Sequence, residues 1–127
     1  MTRWSRYLYA FTAWAFVVGL LAQVLFIGMG LPLLGNQSSM LELHRNFGWL
    51  LHLWPLLILL FAFLAKAGPR HWRWALALAL VVFIVPILVG MRESAPTLAA
   101  FHPVGAIVAF ALAVMVALNS LSALRER

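Results

Sequence analysis

The 127 residues are 65% hydrophobic and 9% charged, with nine Lys+Arg against three Asp+Glu and a net charge of +6. No single core of this size could bury so much apolar side chain, so the composition excludes a soluble globular domain. The absence of cysteine excludes disulfides, iron–sulfur clusters and thiolate zinc sites, and the basic residues lie at the ends of apolar runs, as in membrane flanks rather than a nucleic-acid-binding face.

The first helix is expected over about 7–29. The N-terminal residues look like a signal peptide, but their apolar run reaches Leu34 with Gln23 the one strongly polar residue inside it. That length suits a retained membrane span. Gly30, Pro32 and Gly35 then interrupt helical geometry. The second helix is expected over about 39–65, with Ser39 and Glu42 spaced as a capping box and Pro55 in its interior. Gly68-Pro69 makes the next turn. A third helix over about 72–90 contains Pro86. A fourth is expected over about 96–122, capped by Ser94, with Pro96 in its first turn, where a missing N–H costs nothing. Pro103 leaves open a helix that begins at His102 instead. Interior prolines are tolerated in membranes because neighbouring helices satisfy the freed carbonyls.

The expected fold is therefore an all-α membrane protein: one domain, residues 1–127, forming a four-helix up-down bundle whose first partner is the lipid bilayer. Arg3, Arg6, Lys66, Arg70, Arg73, Arg125 and Arg127 fall on one side, and Arg45 and Arg92 on the other, close to Glu42 and Glu93. The positive-inside rule places both termini in the cytoplasm. Trp4, Tyr7, Tyr9, Trp72 and Trp74 then form an inner aromatic belt, with Trp49 at the outer face. His71, between Arg70 and Arg73, reads as a solvated interfacial side chain.

Three histidines fall on the outer half. Histidine within a membrane span is costly enough to suggest a function. The second and fourth spans run in the same direction and occupy diagonal corners of the bundle. At a rise of 1.5 Å per residue, His44 stands roughly 33 Å above Lys66 and His102 roughly 35 Å above Arg125, whereas His52 lies about 12 Å deeper than His44. Depth pairs His44 with His102, and His52 remains the alternative ligand on its helix. Gly48 and the stripe Gly105, Ala106, Ala109, Ala113 would leave room for a flat macrocycle or let backbones approach. Two imidazoles closing the axial positions of an iron favour electron transfer over oxygen chemistry. Arg45 and Arg92 could pair with haem propionates or simply snorkel to the interface. His52 could hydrogen-bond Gln23, replace His44 or touch a quinone. Zinc fits less well, because the histidine depths differ by two turns and Glu42 lies at the loop. No nucleophile–base pair, phosphate loop or paired carboxylate is visible, which leaves an electron carrier or subunit rather than a stand-alone enzyme.

The stretches LELHRNFGWLLHL and FHPVGAIVAFAL resemble an uncharacterised group of small bacterial four-helix membrane proteins with an H-x3-G-x3-H helix and a later L/F-H-P helix. The arrangement is also similar to b-type cytochromes, in which histidines on parallel helices clamp haem. The resemblance covers most of the chain from Ser39 onward. It implies a bacterial inner membrane location, one haem b (or another tetrapyrrole) near the outer face held by His44 or His52 with His102, and a quinone, a larger redox complex or a second copy of the chain as partner. The alternative is a non-catalytic accessory or pigment-binding subunit of a membrane complex; a transporter is weaker, for want of polar groups on the inner half. Gly28-Met29 and Gly90-Met91 each precede a histidine-bearing helix, a faint echo of two related hairpins.

Overall fold

The computed structural model describes residues 3–31 and 39–125. Five helices occur there: α1 Arg3–Gly30, α2 Ser39–Leu64, α3 Pro69–Gly90, α4 Pro96–Ala99 and α5 His102–Arg125. No strand occurs among the described residues. Pro32, Leu34, Gly35 and Arg127 lie outside them. α1, α2, α3 and the combined stretch Pro96–Arg125 are each long and apolar enough to cross a membrane, the pattern of a multi-pass membrane protein. Side chains such as Val18 and Ile107, 63% and 70% exposed, point outward, where lipid would cover them.

The boundaries differ from expectation where proline decides them. α3 begins at Pro69 because a first-turn proline has no N–H to satisfy, so the helix gains a turn before Trp72. The expected fourth helix is two pieces. α4 ends at Ala99, Ala100 and Phe101 form a turn, and α5 starts at His102 with Pro103 in its first turn. Ser94 does not cap α4: Ala95 occupies the cap position, and the Ser94 hydroxyl donates to the Met91 carbonyl instead.

α1 packs against α2 and α5, and α3 packs against the same two, so α2 and α5 face each other across the diagonal. The core is concentrated at the end carrying the α2–α3 turn. There Tyr9, Ile58, Leu78 and Val116 are fully buried, and alanines on α3 and α5 bring the helices close. Several polar groups in this half bond to backbone carbonyls, although the buried Tyr9 hydroxyl has no hydrogen-bond partner among the described residues. Thr12 Oγ1 donates to the Leu8 carbonyl at 2.7 Å, Ser120 Oγ to Ala117 at 2.6 Å, and the Trp54 indole N–H crosses to the Thr12 carbonyl at 2.9 Å.

Two expected interfacial residues belong to this core. Tyr9 is completely buried rather than part of an aromatic belt, and His71 is buried rather than solvated. Their rings meet edge to face, with centroids 5.9 Å apart. The cause is helical phase: His71 shares an inward stripe with Ala75, Leu78 and Val82, while Arg70 and Arg73 point away. Trp4 and Trp49, by contrast, are exposed as an interfacial belt requires.

α2 ends in a Schellman turn. The Ala67 N–H reaches the Ala62 carbonyl and the Lys66 N–H the Phe63 carbonyl, which forces Lys66 to φ 48°. A side chain is strained in this left-handed region. Lys66→Gly is expected to stabilise the detergent-solubilised protein by about 0.5–1 kcal/mol, visible as a raised Tm.

Candidate functional site

At the end opposite the α2–α3 turn, the four spans enclose a partly open cavity of about 450 Å³, within the range of small-molecule sites. α1 contributes Phe16, Leu20 and Gln23. α3 contributes Val82, Val85, Pro86 and Val89, and α5 contributes Ala106 and Ala109. His44, His52 and His102 all line this one cavity, each partly buried. The wall is otherwise almost wholly apolar, and Arg45 and Trp49 stand exposed at its rim.

Each histidine is fixed through the same ring atom. His44 Nδ1 lies 3.0 Å from the Gln23 carbonyl on α1, His102 Nδ1 lies 3.1 Å from the Val85 carbonyl on α3, and His52 Nδ1 lies 2.6 Å from the Gly48 carbonyl on its own helix. A carbonyl only accepts, so in each pair Nδ1–H donates. The neutral ring then carries its lone pair on Nε2, the atom free to bind a metal. A carbonyl behind the far nitrogen of a metal-binding histidine both orients the ring and raises its basicity.

The remaining expected site residues divide. Gly48 lies in the cavity wall, but its close neighbour is Gln23: a Cβ there would stand 2.6 Å from Gln23 Nε2. Gly105 faces α3, where a Cβ would stand 2.9 Å from Val85 Cγ2, so it brings α5 close to α3 rather than leaving room in the cavity. Ala106 and Ala109 do line the cavity, and Ala113 belongs to the packed core. Arg92 is exposed in the turn after α3 and is not a lining residue. The expected His52–Gln23 hydrogen bond is absent. His52 is satisfied within its own helix, Gln23 gives its backbone carbonyl to His44, and Gln23 Oε1 is buried without a hydrogen-bond partner.

The sequence reading missed the carbonyls of Gln23 and Val85 as anchors and the apolar wall from α1 and α3. The signal for α1 and α3 was available: Gln23 stands five residues before Gly28-Met29, and Val85 five before Gly90-Met91. Among the described residues, no group of three or more His, Cys, Asp or Glu side chains is placed to hold a bare metal ion. Comparisons with protein-family models, curated proteins and solved structures found no match to this chain.

Proposed function

We propose that the chain is a small integral-membrane b-type haem protein that carries electrons near the outer membrane face. The observation that carries this reading is the set of imidazoles around one apolar cavity, each anchored through Nδ1 with Nε2 left as the ligating atom. Among the described residues no three His, Cys, Asp or Glu side chains converge, so a metal held here would need ligands beyond the protein's own. A metal-centred tetrapyrrole would bring them, would ask only imidazoles of the chain, and would supply a one-electron couple.

The chain's own residues would do the rest. His102 and a histidine of α2 would present Nε2. Phe16, Leu20, Val82 and Val85 would exclude water. Arg45 would meet carboxylate groups at the rim. Arg3, Arg6, Lys66, Arg70, Arg73 and Arg125 flank the opposite end of the bundle and support cytoplasmic termini in a bacterial inner membrane. A quinone or a partner redox protein would then exchange electrons at the outer face.

The test is an absorption spectrum of the purified, detergent-solubilised chain, followed by haemin titration. The expected result is a Soret band with sharp visible bands after reduction, as for two axial imidazoles. A colourless protein that gives no band shift with haemin would overturn the reading. If such a protein also left the membrane only with partner chains, the accessory-subunit reading would replace it.

A further inference from the structure

The bundle repeats itself. Tyr9, Phe16 and Gln23 in α1 stand at one constant spacing from His71, Leu78 and Val85 in α3, and the first two of each set are buried. His44, Leu51 and Ile58 in α2 stand at a second constant spacing from His102, Ala109 and Val116 in α5, and the last two of each set are buried. Exchanging α1 with α3 and α2 with α5 turns every helix–helix contact among the four spans into another observed one. Tyr9 and His71, equivalent by this exchange, touch each other, as residues flanking a two-fold axis do.

The repeat extends into the cavity. In the first hairpin His44 reaches back 21 residues to the Gln23 carbonyl, and in the second His102 reaches back 17 residues to the Val85 carbonyl. Near each histidine stands a glycine, four residues on in α2 and three on in α5, so the strict equivalent of Gly48 is Ala106 and the glycines match in contact rather than in register: Gly48 sits against the side chain of Gln23 and Gly105 against that of Val85, the residues whose carbonyls are used. Without a Cβ at that point the two helices of the hairpin can approach closely enough for the imidazole to span them. His52 stands outside the scheme. It bonds within its own helix, and its equivalent is Phe110.

We infer that the cavity's ligand sits on a pseudo-two-fold axis, gripped by His44 and His102 as a matched pair, with Gly48 and Gly105 as positioning residues and His52 left unligated. The inference deepens the haem reading and rests on it for the ligand's identity. A flat ring standing with its plane along the axis has its two faces exchanged by the rotation. Such a site would suit a flat metal-centred ring, and His44 and His102 would meet it in equivalent surroundings.

The experiment has two arms on the full-length chain in detergent. In the first, haemin is titrated into wild type, His52→Phe, His44→Ala and His102→Ala. His52→Phe is expected to keep a six-coordinate low-spin spectrum, and both alanine variants to lose it. Loss in His52→Phe with retention in His44→Ala would overturn the pairing. In the second arm, nitrogen NMR of histidine-labelled protein without haemin reads the ring tautomers. His44 and His102 are expected to be single Nδ1–H forms, with Gly48→Val disturbing His44 alone and Gly105→Val disturbing His102 alone. Different tautomers for the two rings in wild type, or glycine variants that fold by circular dichroism and leave both rings unchanged, would also overturn it. Should either glycine variant fail to fold, the wild-type tautomers and the His52→Phe titration decide. If wild type ignores haemin while the tautomer pattern holds, the haem reading falls and the matched pair stands.

Discussion

His102→Ala is expected to leave the bundle folded and to weaken haemin binding by more than 100-fold. The two effects separate because of how the residue is held. His102 is only partly buried at the first turn of α5, and its one described hydrogen bond goes to the Val85 carbonyl. Losing that bond costs about 0.5–1.5 kcal/mol of stability. In the proposed site, however, alanine removes an axial ligand outright. Removing even an outer partner of a ligating histidine typically costs about 10–100-fold in metal affinity, so removing the ligand must exceed that range. Absorbance titration of the variant beside a thermal melt measures both quantities. Unchanged affinity would exclude His102 from the site.

Ala109→Trp is expected to abolish haemin binding while leaving every histidine in place. Ala109 is 3% exposed and lines the cavity, so the new ring enters the space the ligand would use. Filling an apolar void restores missing dispersion contacts, so Tm should hold or rise. Ala117, two turns further along α5 and fully buried in the packed half, provides the contrast. Ala117→Trp meets no void, and overpacking of that kind costs about 1–3 kcal/mol or more. Equal destabilisation of the two variants would mean that the end bearing the histidines is packed as tightly as the other.

The helices and their order were legible in the sequence because hydrophobic run length and proline–glycine punctuation act locally. The diagonal placement of α2 and α5 followed from connectivity alone. The rotation of each helix about its own axis was less accessible. Arg70 and Arg73 made His71 look interfacial, although its register with Ala75 and Leu78 turns it inward. Depth arithmetic put His52 near Gln23, but depth does not fix phase: His52 turns back to Gly48, while His44 takes the Gln23 carbonyl. The small-residue stripe on α5 was a single feature in sequence and is three in space, with Gly105 against α3, Ala106 and Ala109 in the cavity wall, and Ala113 in the core. The Gly28-Met29 and Gly90-Met91 echo marks the positions of Gln23 and Val85 but not the Nδ1 bonds, because the acceptors are backbone atoms that carry no residue identity.

The uneven packing along the bundle makes the molecule a cup rather than a tube. Phe16, Val82 and Ala109 form the floor, and below them Tyr9, Leu78 and Val116 fill the stem without exposure. Among the described residues this buried stem separates the cavity from the opposite end of the bundle. Vesicles carrying the protein should therefore show no solute flux above protein-free vesicles, and in the proposed orientation any chemistry in the bowl would face a single side of the bilayer.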